Sequence, residues 1–279
     1  MQTAAATNPA PTPPARAAQE LAPGVIFSER FRIVCRLAAG GVGNVYEAVH
    51  VWTGRRVALK MLQPERAENV TLIRRFQIEA EAATRVAHPN VVEVIDMGRD
   101  QKTGALYLVQ EFLEGADLFT EMTSRERYRP DEVLAVMGPV MRALQAAHAR
   151  GVLHRDLKPE NVMVRADGVL KLMDFGIAKL LDRDERMTMT GALVGSPAHM
   201  APEIIEGEPA GAEADIFSLG TMLYLFATGK LPFDAPNTTA TLKRILDGVY
   251  PDPRQVQPTV SDGLAEIIEI QPKDRKRFK

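Results

Sequence analysis

The sequence predicts an α+β fold in two lobes, with strands in the first part of the chain and helices in the second. Three observations predict it. Short runs with alternating apolar residues follow one another closely up to Phe112, as in an antiparallel sheet. Longer runs with apolar residues at helical spacing take over from Pro130. The chain of 279 residues is also long enough for one large domain in two lobes with a cleft between them.

The boundaries of the lobes follow from changes in composition. Residues 1–27 are rich in Ala, Pro and Thr, which offer little apolar surface to bury, so we expect a disordered tail. We assign residues 28–113 to the first lobe and to the hinge that leaves it. Residues 114–279 form the second lobe, whose last helix we expect to be missing or cut short. Whether the chain is a full-length protein or a piece of one stays open.

The predicted elements follow in order along the chain. In the first lobe they are strands over 31–37, 44–51, 56–62, 91–97 and 105–112, with one helix over 72–86 after the third strand. In the second lobe they are helices over 131–150, 214–228, 238–247 and 261–270. Gly229 directly follows the second of these helices and is the expected C-cap.

Composition excludes several classes of protein. The formal net charge of −2 gives no reason to expect nucleic acid as a partner. Cys35 is the single cysteine, so an intrachain disulfide and a cysteine-built zinc site are excluded, and a reducing compartment, the cytoplasm, is expected. No run of about 18 apolar residues occurs, so no membrane-spanning segment is expected either.

One short segment after the first long helix of the second lobe carries the side chains that phosphoryl transfer needs. Asp156 can orient an attacking hydroxyl group, Lys158 can offset phosphate charge, and Asn161 can give an oxygen to a divalent cation. The next residues predict a hairpin that turns at Asp167 and returns Asp174 to the side of Asn161. A carboxylate and an amide oxygen suit Mg²⁺, which takes its other ligands from water and phosphate.

Two features of the first lobe point to the same phosphates. Gly40, Gly41 and Gly43 lie between two strands and let the backbone approach phosphate, although glycine-rich hairpins without a ligand are common. No Gly-Lys-Ser/Thr follows, so this is not a P-loop. Lys60 lies near the end of the third strand, within reach of the same site, where Glu79 of the next helix can hold it by an ion pair. A solvated charge is the alternative for Lys60.

Taken together, these residues resemble the protein kinase family over roughly residues 30–279. The matching segments are the Gly-rich loop at 38–45, Lys60, Glu79, His88-Pro89-Asn90, the hinge at 108–113, the catalytic loop at 154–161, Asp174-Phe175-Gly176, Ala201-Pro202-Glu203 and the helix start at 215–220. The sequence Lys158-Pro159-Glu160 resembles the one found at this position in the serine/threonine branch of the family. Within that branch, the chain resembles the bacterial, eukaryotic-like kinases. The resemblance implies a protein kinase-like fold with a small antiparallel sheet lobe carrying one main helix, a larger helical lobe, and an ATP cleft between them.

The resemblance also implies roles for single residues. The catalytic residues would be Asp156, Lys158, Lys60 and Glu79, and the metal ligands Asn161 and Asp174, for Mg²⁺ or alternatively Mn²⁺. The nucleotide-binding residues would be Ala38, Gly40, Gly43, Val45, Ala58, Lys60, Glu111, Leu113, Asp117 and Met163. Among them, the Glu111 carbonyl and the Leu113 amide would hydrogen-bond adenine. Asp117 would meet ribose or substrate, and a plain loop aspartate is the alternative.

Some positions depart from the family's pattern or suggest regulation. Ala38 replaces the first glycine of the loop, so we expect somewhat weaker nucleotide binding. Gln110 is a polar residue at the gatekeeper position, which is more often apolar. Thr188 and Thr190 resemble autophosphorylation sites of bacterial kinases, with ordinary loop threonines as the alternative. Arg275 is the expected partner of Glu203 in the Ala-Pro-Glu motif.

The resemblance implies a serine/threonine protein kinase that transfers the γ-phosphate of ATP to protein hydroxyl groups. Its partners would be protein substrates and the kinase itself, with a transient dimer left open. Two alternatives remain. A pseudokinase would bind nucleotide as a scaffold without turnover, and a kinase of this fold could act on a small molecule. The Ala-Pro-Glu element and the full activation segment favour a protein acceptor.

Overall fold

The first lobe is a six-stranded antiparallel sheet in the spatial order β1-β2-β3-β4-β6-β5. The computed structural model describes residues 20–39, 43–62, 73, 77, 80, 81, 83–124, 128–175 and 197–273. The strands of this sheet are β1 (Ile26–Phe27), β2 (Phe31–Ala39), β3 (Gly43–His50), β4 (Arg56–Leu62), β5 (Val94–Arg99) and β6 (Leu106–Glu111). The described residues between 73 and 85 are helical, as predicted for this segment.

One face of the sheet packs into an apolar core, and the other carries the predicted nucleotide contacts. Alternate side chains on one face form an apolar core that includes Tyr46, Ala48, Val57, Leu59, Tyr107 and Val109. The pairing register places the intervening residues on the other face, where Val45 lies opposite Lys60 and Ala58 lies opposite Gln110. A second, smaller cluster joins Leu62, Leu106 and Leu108 to Ala80 of the helical segment. The predicted nucleotide contacts of β3 and β4 therefore share one face of the sheet.

The second lobe is built around two long helices. Its helices are α1 (Leu118–Thr123), α2 (Pro130–His148), α3 (Pro202–Ile205), α4 (Ala212–Thr228), α5 (Thr238–Asp247), α6 (Pro253–Val256) and α7 (Asp262–Lys273). Apolar residues of α2 such as Met137 and Leu144 pack with Met222 and Phe226 of α4 in the largest core cluster. None of the described helices is long and apolar enough to cross a membrane.

The ends of these helices follow local rules of the sequence. Pro130 occupies the first turn of α2, where a missing backbone N–H leaves no hydrogen bond unmade. The Glu132 side chain accepts the backbone N–H of Arg129 at 2.7 Å and so closes the start of this helix. Gly229 ends α4 with a left-handed φ of 72°, which confirms the predicted C-cap.

A small three-stranded sheet carries the catalytic segments of the second lobe. It consists of β7 (Gly115–Asp117), β8 (Val162–Arg165) and β9 (Leu170–Leu172) in the order β7-β8-β9. The predicted hairpin is confirmed, since β8 and β9 pair in antiparallel fashion. Gly168 in the turn has a φ of 82°, which explains why glycine is needed there.

Two predicted boundaries are wrong. The first lobe begins before the expected boundary at residue 27, because Phe27 is buried against Tyr107 and the Leu21 amide donates to the Tyr46 hydroxyl group at 3.2 Å. The fourth long strand begins at Val94, whereas it was predicted from residue 91. The preceding residues pair with the second lobe instead, and the Val92 amide donates to the Leu172 carbonyl at 2.9 Å.

Candidate active site

The structure brings together Lys60 of the first lobe and Asp174 of the second. The Lys60 Nζ lies 2.8 Å from Asp174 Oδ1, although 114 positions separate the two residues in the chain. The Lys60 side chain is 12% exposed and that of Asp174 is 35% exposed, so the pair lies partly open to solvent between the lobes. The predicted cleft and its two charged residues of opposite sign are therefore present at one place.

Three polar side chains of the catalytic loop, those of Asp156, Lys158 and Asn161, form one cluster. Asn161 ends a short 3₁₀ turn that begins at Pro159. Its Nδ2 donates to the Asp156 carbonyl at 2.6 Å and to Asp156 Oδ2 at 3.1 Å. The Lys158 Nζ lies 3.4 Å from the same Asp156 Oδ2. Because both of these amide contacts use Nδ2, the oxygen Oδ1 of Asn161 is the atom left to bind a cation.

A backbone hydrogen bond brings Asp174 close to this cluster. The Met173 amide donates to the Asn161 carbonyl at 2.8 Å, so the residue after Met173 begins beside the catalytic loop. Asp174 itself has a φ of 53°, in the left-handed region that only short polar residues and glycine adopt readily. Such strain is common at functional sites, where it aims a side chain.

The donor set fits a magnesium ion. The described residues include no group of three or more His, Cys, Asp or Glu side chains that could hold a metal by themselves. Mg²⁺ does not need such a cage, since it is commonly held by one or two carboxylates together with water and substrate phosphates. The carboxylate of Asp174 and the amide oxygen of Asn161 would supply oxygen atoms of this kind.

A buried aspartate that sequence reasoning did not assign to the site holds the catalytic loop in place. Asp215 in α4 is fully buried and accepts the backbone N–H groups of His154 at 2.7 Å and of Arg155 at 2.6 Å. The His148 Nε2 at the end of α2 lies 2.7 Å from the same carboxylate. Burial alone favours the protonated acid, but these hydrogen bonds keep the pKa of Asp215 below its ordinary value. The first turn of α4 contains two acidic residues, Glu213 and Asp215, and the sequence alone does not show that Asp215 is the buried one.

His154 connects the catalytic loop to the strand that leads to Asp174. Its ring is fully buried, and its Nε2 lies 2.7 Å from the Met173 carbonyl, which can only accept a proton. Its Nδ1 accepts the Asp156 amide at 3.3 Å, so the neutral tautomer with hydrogen on Nε2 satisfies both contacts. Burial lowers the pKa of His154 despite the carboxylates nearby, in agreement with a neutral ring. Its ring also contacts Phe175, with centroids 4.9 Å apart.

This burial predicts a loss of stability at mildly acid pH. Below about pH 6.5 an unfolded histidine binds a proton that the buried His154 does not, so the free energy of unfolding falls as the pH falls. His154→Gln keeps one donor and one acceptor but does not titrate. We expect the wild type to lose about 1–2 kcal/mol more than this variant between pH 7.5 and 5.5 in urea unfolding. Equal losses in the two proteins would contradict the prediction.

A largely buried ion pair, which the sequence did not reveal, connects the hinge between the lobes to β9. The Glu111 carboxylate lies 2.6 Å from the Lys171 Nζ of β9, and it also accepts the Glu93 amide at 2.8 Å. The two charged side chains are 17% and 11% exposed. The sequence predicted only the backbone carbonyl of Glu111 as a nucleotide contact, so its side chain has a separate task.

Four of the predicted nucleotide-binding residues belong to strands β3, β4 and β8 and to the hinge. Val45, Ala58 and Met163 are each half-buried, as expected for side chains at the wall of a cleft. Leu113 follows the end of β6 and is also half-buried. Gln110, at the gatekeeper position, is 8% exposed and lies opposite Ala58 in the sheet.

Two predicted nucleotide residues also have structural tasks. Asp117 is the N-cap of α1 and accepts both the amide and the hydroxyl group of Thr120 at 2.8 Å. Gly43 lies so close to β4 that a Cβ atom there would overlap the Met61 carbonyl oxygen, at 1.8 Å. Glycine at this position is therefore required by strand pairing, whether or not phosphate binds beside it. Ala38, near the end of β2, is exposed.

Several predictions fall outside the described residues. They concern Gly40 of the loop, Glu79 as the partner of Lys60, Thr188 and Thr190 of the activation segment, and Arg275 as the partner of Glu203. In the described part of the chain, the carboxylate that pairs with Lys60 is Asp174.

The chain is similar to known protein kinases over most of its length. The family model described as the protein kinase domain matches residues 31–279. Serine/threonine-protein kinase Pkn1 of Myxococcus xanthus is 41% identical over 242 residues, which are 85% of this chain and 34% of that protein. Serine/threonine-protein kinase PknA of Mycobacterium tuberculosis is 37% identical over 251 residues, or 88% of this chain and 57% of that protein. The chain thus spans only part of the length of these curated relatives.

A solved structure shows the same arrangement. The PknI kinase domain of Mycobacterium tuberculosis, crystallised as a mutant, matches with a TM-score of 0.68 and 30% sequence identity. The match covers 90% of this chain and 91% of that domain. The curled antiparallel sheet, the helical second lobe and the cleft between them are therefore features that this chain shares with a known kinase domain.

Proposed function

Because the chain belongs to the protein kinase family, we propose that it transfers the γ-phosphate of ATP to serine and threonine hydroxyl groups of proteins, itself included. One observation carries the proposal. Asp156 lies in a single cluster with Lys158 and Asn161, beside the strand that leads to the Lys60–Asp174 pair. These are the groups that phosphoryl transfer requires for orientation and for neutralisation of charge.

Each residue of the cluster has a distinct role in this proposal. Asp156 orients the acceptor hydroxyl group and takes its proton, and Lys158 offsets the charge of the phosphate that is transferred. Asn161, through Oδ1, and Asp174, through its carboxylate, would hold Mg²⁺, with Mn²⁺ as an alternative. When bound, the ion supplies positive charge against the phosphate oxygens. Lys60 adds positive charge for the α- and β-phosphates.

The adenine end of the nucleotide belongs at the hinge. The Glu111 carbonyl and the Leu113 amide are its proposed hydrogen-bond partners, with Val45, Ala58 and Met163 on either side of the ring. The shared face of Val45 and Ala58 in the sheet supports this placement. The complete set of charged groups favours an enzyme over a nucleotide-binding scaffold.

The proposal extends to regulation and location. Phosphorylation at Thr188 or Thr190 would give the activation segment a charge that Arg155, next to the catalytic aspartate, is placed to receive. Autophosphorylation between two molecules would need only a transient dimer. A reducing compartment such as the cytoplasm suits a chain whose one cysteine is the free Cys35.

Labelling with γ-³²P-ATP and a generic protein substrate tests the function. We expect label in the wild type and in Asp131→Asn, which alters an exposed aspartate at the start of α2, and no label in Asp156→Asn. Mapping the labelled residues of the kinase tests Thr188 and Thr190 in the same material. Nucleotide binding without protein label would indicate a scaffold, and label confined to a metabolite would indicate a small-molecule kinase.

A further inference from the structure

We propose that Arg56 is a positioning residue for the adenine-binding hinge, acting through Phe112 and Glu114. The inference rests on the proposed placement of adenine at Glu111 and Leu113. We call Arg56 with its contacts Glu47, Phe112 and Glu114 the hinge clasp. It joins two strands of the first lobe to the segment that connects the lobes.

The contacts of Arg56 fix its guanidinium group on three sides. The guanidinium carbon lies 4.2 Å from the centre of the Phe112 ring, within the range of a cation–π interaction. Its Nε donates to Glu47 Oε1 at 2.9 Å, and its Nη1 lies 3.4 Å from Glu114 Oε1. A planar group with several fixed donors can make all three contacts at once, which a lysine ammonium group cannot.

The hinge clasp acts at the point where adenine would bind. Phe112 is the residue between Glu111 and Leu113, so a contact that holds its ring also limits the backbone on both sides. Directly after the hinge, the Glu114 carbonyl accepts the Ala166 amide at 2.9 Å. Arg56 therefore adds contacts from the first lobe to a segment that is already hydrogen-bonded to the second lobe.

Glu47 links the hinge clasp to the wall of the adenine pocket. It lies opposite Ala58 in the pairing of β3 with β4, and its side chain is 14% exposed. Arg56 is the first residue of the same strand as Ala58. Through these contacts the strand that covers adenine and the hinge that hydrogen-bonds it keep a fixed separation.

The effect of the hinge clasp should appear in binding rather than in stability. The Arg56 side chain is 46% exposed, and exposed ion pairs contribute little to folding. Correct placement of the Glu111 carbonyl and the Leu113 amide, in contrast, determines how well the site recognises adenine against other bases. Loss of the hinge clasp should therefore weaken the binding of ATP more than that of GTP, because the guanine base makes different hydrogen bonds.

The chain offers a matched control in the neighbouring arginine. Arg55 has a side chain that is 48% exposed, and it lies 2.6 Å from Glu93, which is not a member of the hinge clasp. Arg55→Ala thus removes the same charge from an equally exposed arginine without touching the hinge clasp. Arg56→Lys keeps the charge of Arg56 but loses the planar stacking group.

Titration calorimetry with Mg-ATP and Mg-GTP, together with thermal unfolding, tests the inference. We expect Arg56→Ala to raise the Kd for ATP about threefold to fivefold, to leave that for GTP nearly unchanged, and to keep the melting temperature. Arg56→Lys should follow Arg56→Ala, and Arg55→Ala should follow the wild type. At saturating ATP, the rate of protein phosphorylation by Arg56→Ala should equal that of the wild type.

Three results would overturn the inference. In the first, Arg56→Ala and Arg55→Ala bind ATP with equal affinity. In the second, Arg56→Ala loses as much affinity for GTP as for ATP. In the third, its loss of affinity is accompanied by a lower melting temperature. Binding does not depend on transfer, so the proposed function can fail separately. If the wild type binds ATP but labels no protein, the proposed kinase function is wrong. The Kd values would still test the role of Arg56.

Discussion

Asp174→Asn is expected to lower the rate of phosphoryl transfer by about 1000-fold or more, because it removes the one negative charge proposed to hold the metal ion. A loss of about 4 kcal/mol of transition-state stabilisation corresponds to this factor, and metal ions typically contribute several kcal/mol. The substitution also removes the ionic partner of Lys60, which lies 2.8 Å away. Both groups at the phosphate end of the site are thus affected by a single change.

The same substitution should leave the fold intact, which makes the result interpretable. Asparagine has the shape of aspartate and is one of the few residues that tolerate a left-handed backbone, here with a φ of 53°. We expect a melting temperature close to that of the wild type. Turnover of a protein substrate at saturating ATP gives the rate, and thermal unfolding gives the stability.

Asp167→Asn is the matched control for this prediction. Asp167 lies in the turn of the same β8–β9 hairpin, where its exposed side chain contacts Arg165 at 2.8 Å. It should keep wild-type turnover. If Asp174→Asn retained more than a tenth of the wild-type rate, the carboxylate would not be an essential metal ligand. If it lost activity together with the folded state, the carboxylate would have a structural role instead.

Short-range features of the sequence predicted much of the catalytic lobe. The β8–β9 hairpin was predictable because an Asp-Gly turn separates two short apolar runs, so the whole element lies within a dozen positions. The end of α4 was predictable because glycine adopts a left-handed conformation without steric cost. The order of the motifs then placed Lys60 and Asp174 in one cleft, and the structure has them in contact.

Contacts between distant segments were not predictable in the same way. The side chain of Asp215 meets amide groups about sixty positions earlier, and no local pattern shows which carboxylate turns inward at that point. The residues around Val91 have the local pattern of a strand start, but their backbone pairs with Leu172 of the other lobe. Tertiary packing decides such cases, and a single sequence contains only indirect signs of it.

The largely buried Glu111–Lys171 pair gives the largest expected effect on stability. Lys171→Met should lower the free energy of unfolding by about 3 kcal/mol, because it leaves the Glu111 carboxylate, which is 17% exposed, without its cation. For a domain of this size, such a loss corresponds to a melting temperature lower by roughly 6–12 °C. Urea and thermal unfolding at neutral pH would measure both quantities.

An exposed ion pair of the same length provides the control. Arg55 and Glu93 are also 2.6 Å apart, but their side chains are 48% and 58% exposed, against 11% and 17% for Lys171 and Glu111. Arg55→Ala should cost less than about 1 kcal/mol, since water solvates the remaining charge. Equal losses in the two single variants would show that burial of the Lys171 pair has no energetic consequence.

The double variant Glu111→Gln with Lys171→Met separates the cost of an unpaired charge from the loss of packing. The substituted side chain in the hinge would be neutral and its amide oxygen could still accept the Glu93 amide, so more than half of the lost stability should return. No recovery would mean that the lysine contributes through its packing or through its second contact, with the Val91 carbonyl at 3.3 Å. Recovery of stability would show that the loss in Lys171→Met comes from the Glu111 carboxylate left without its partner. The hinge and the strand leading to Asp174 would then be connected by an electrostatic interaction.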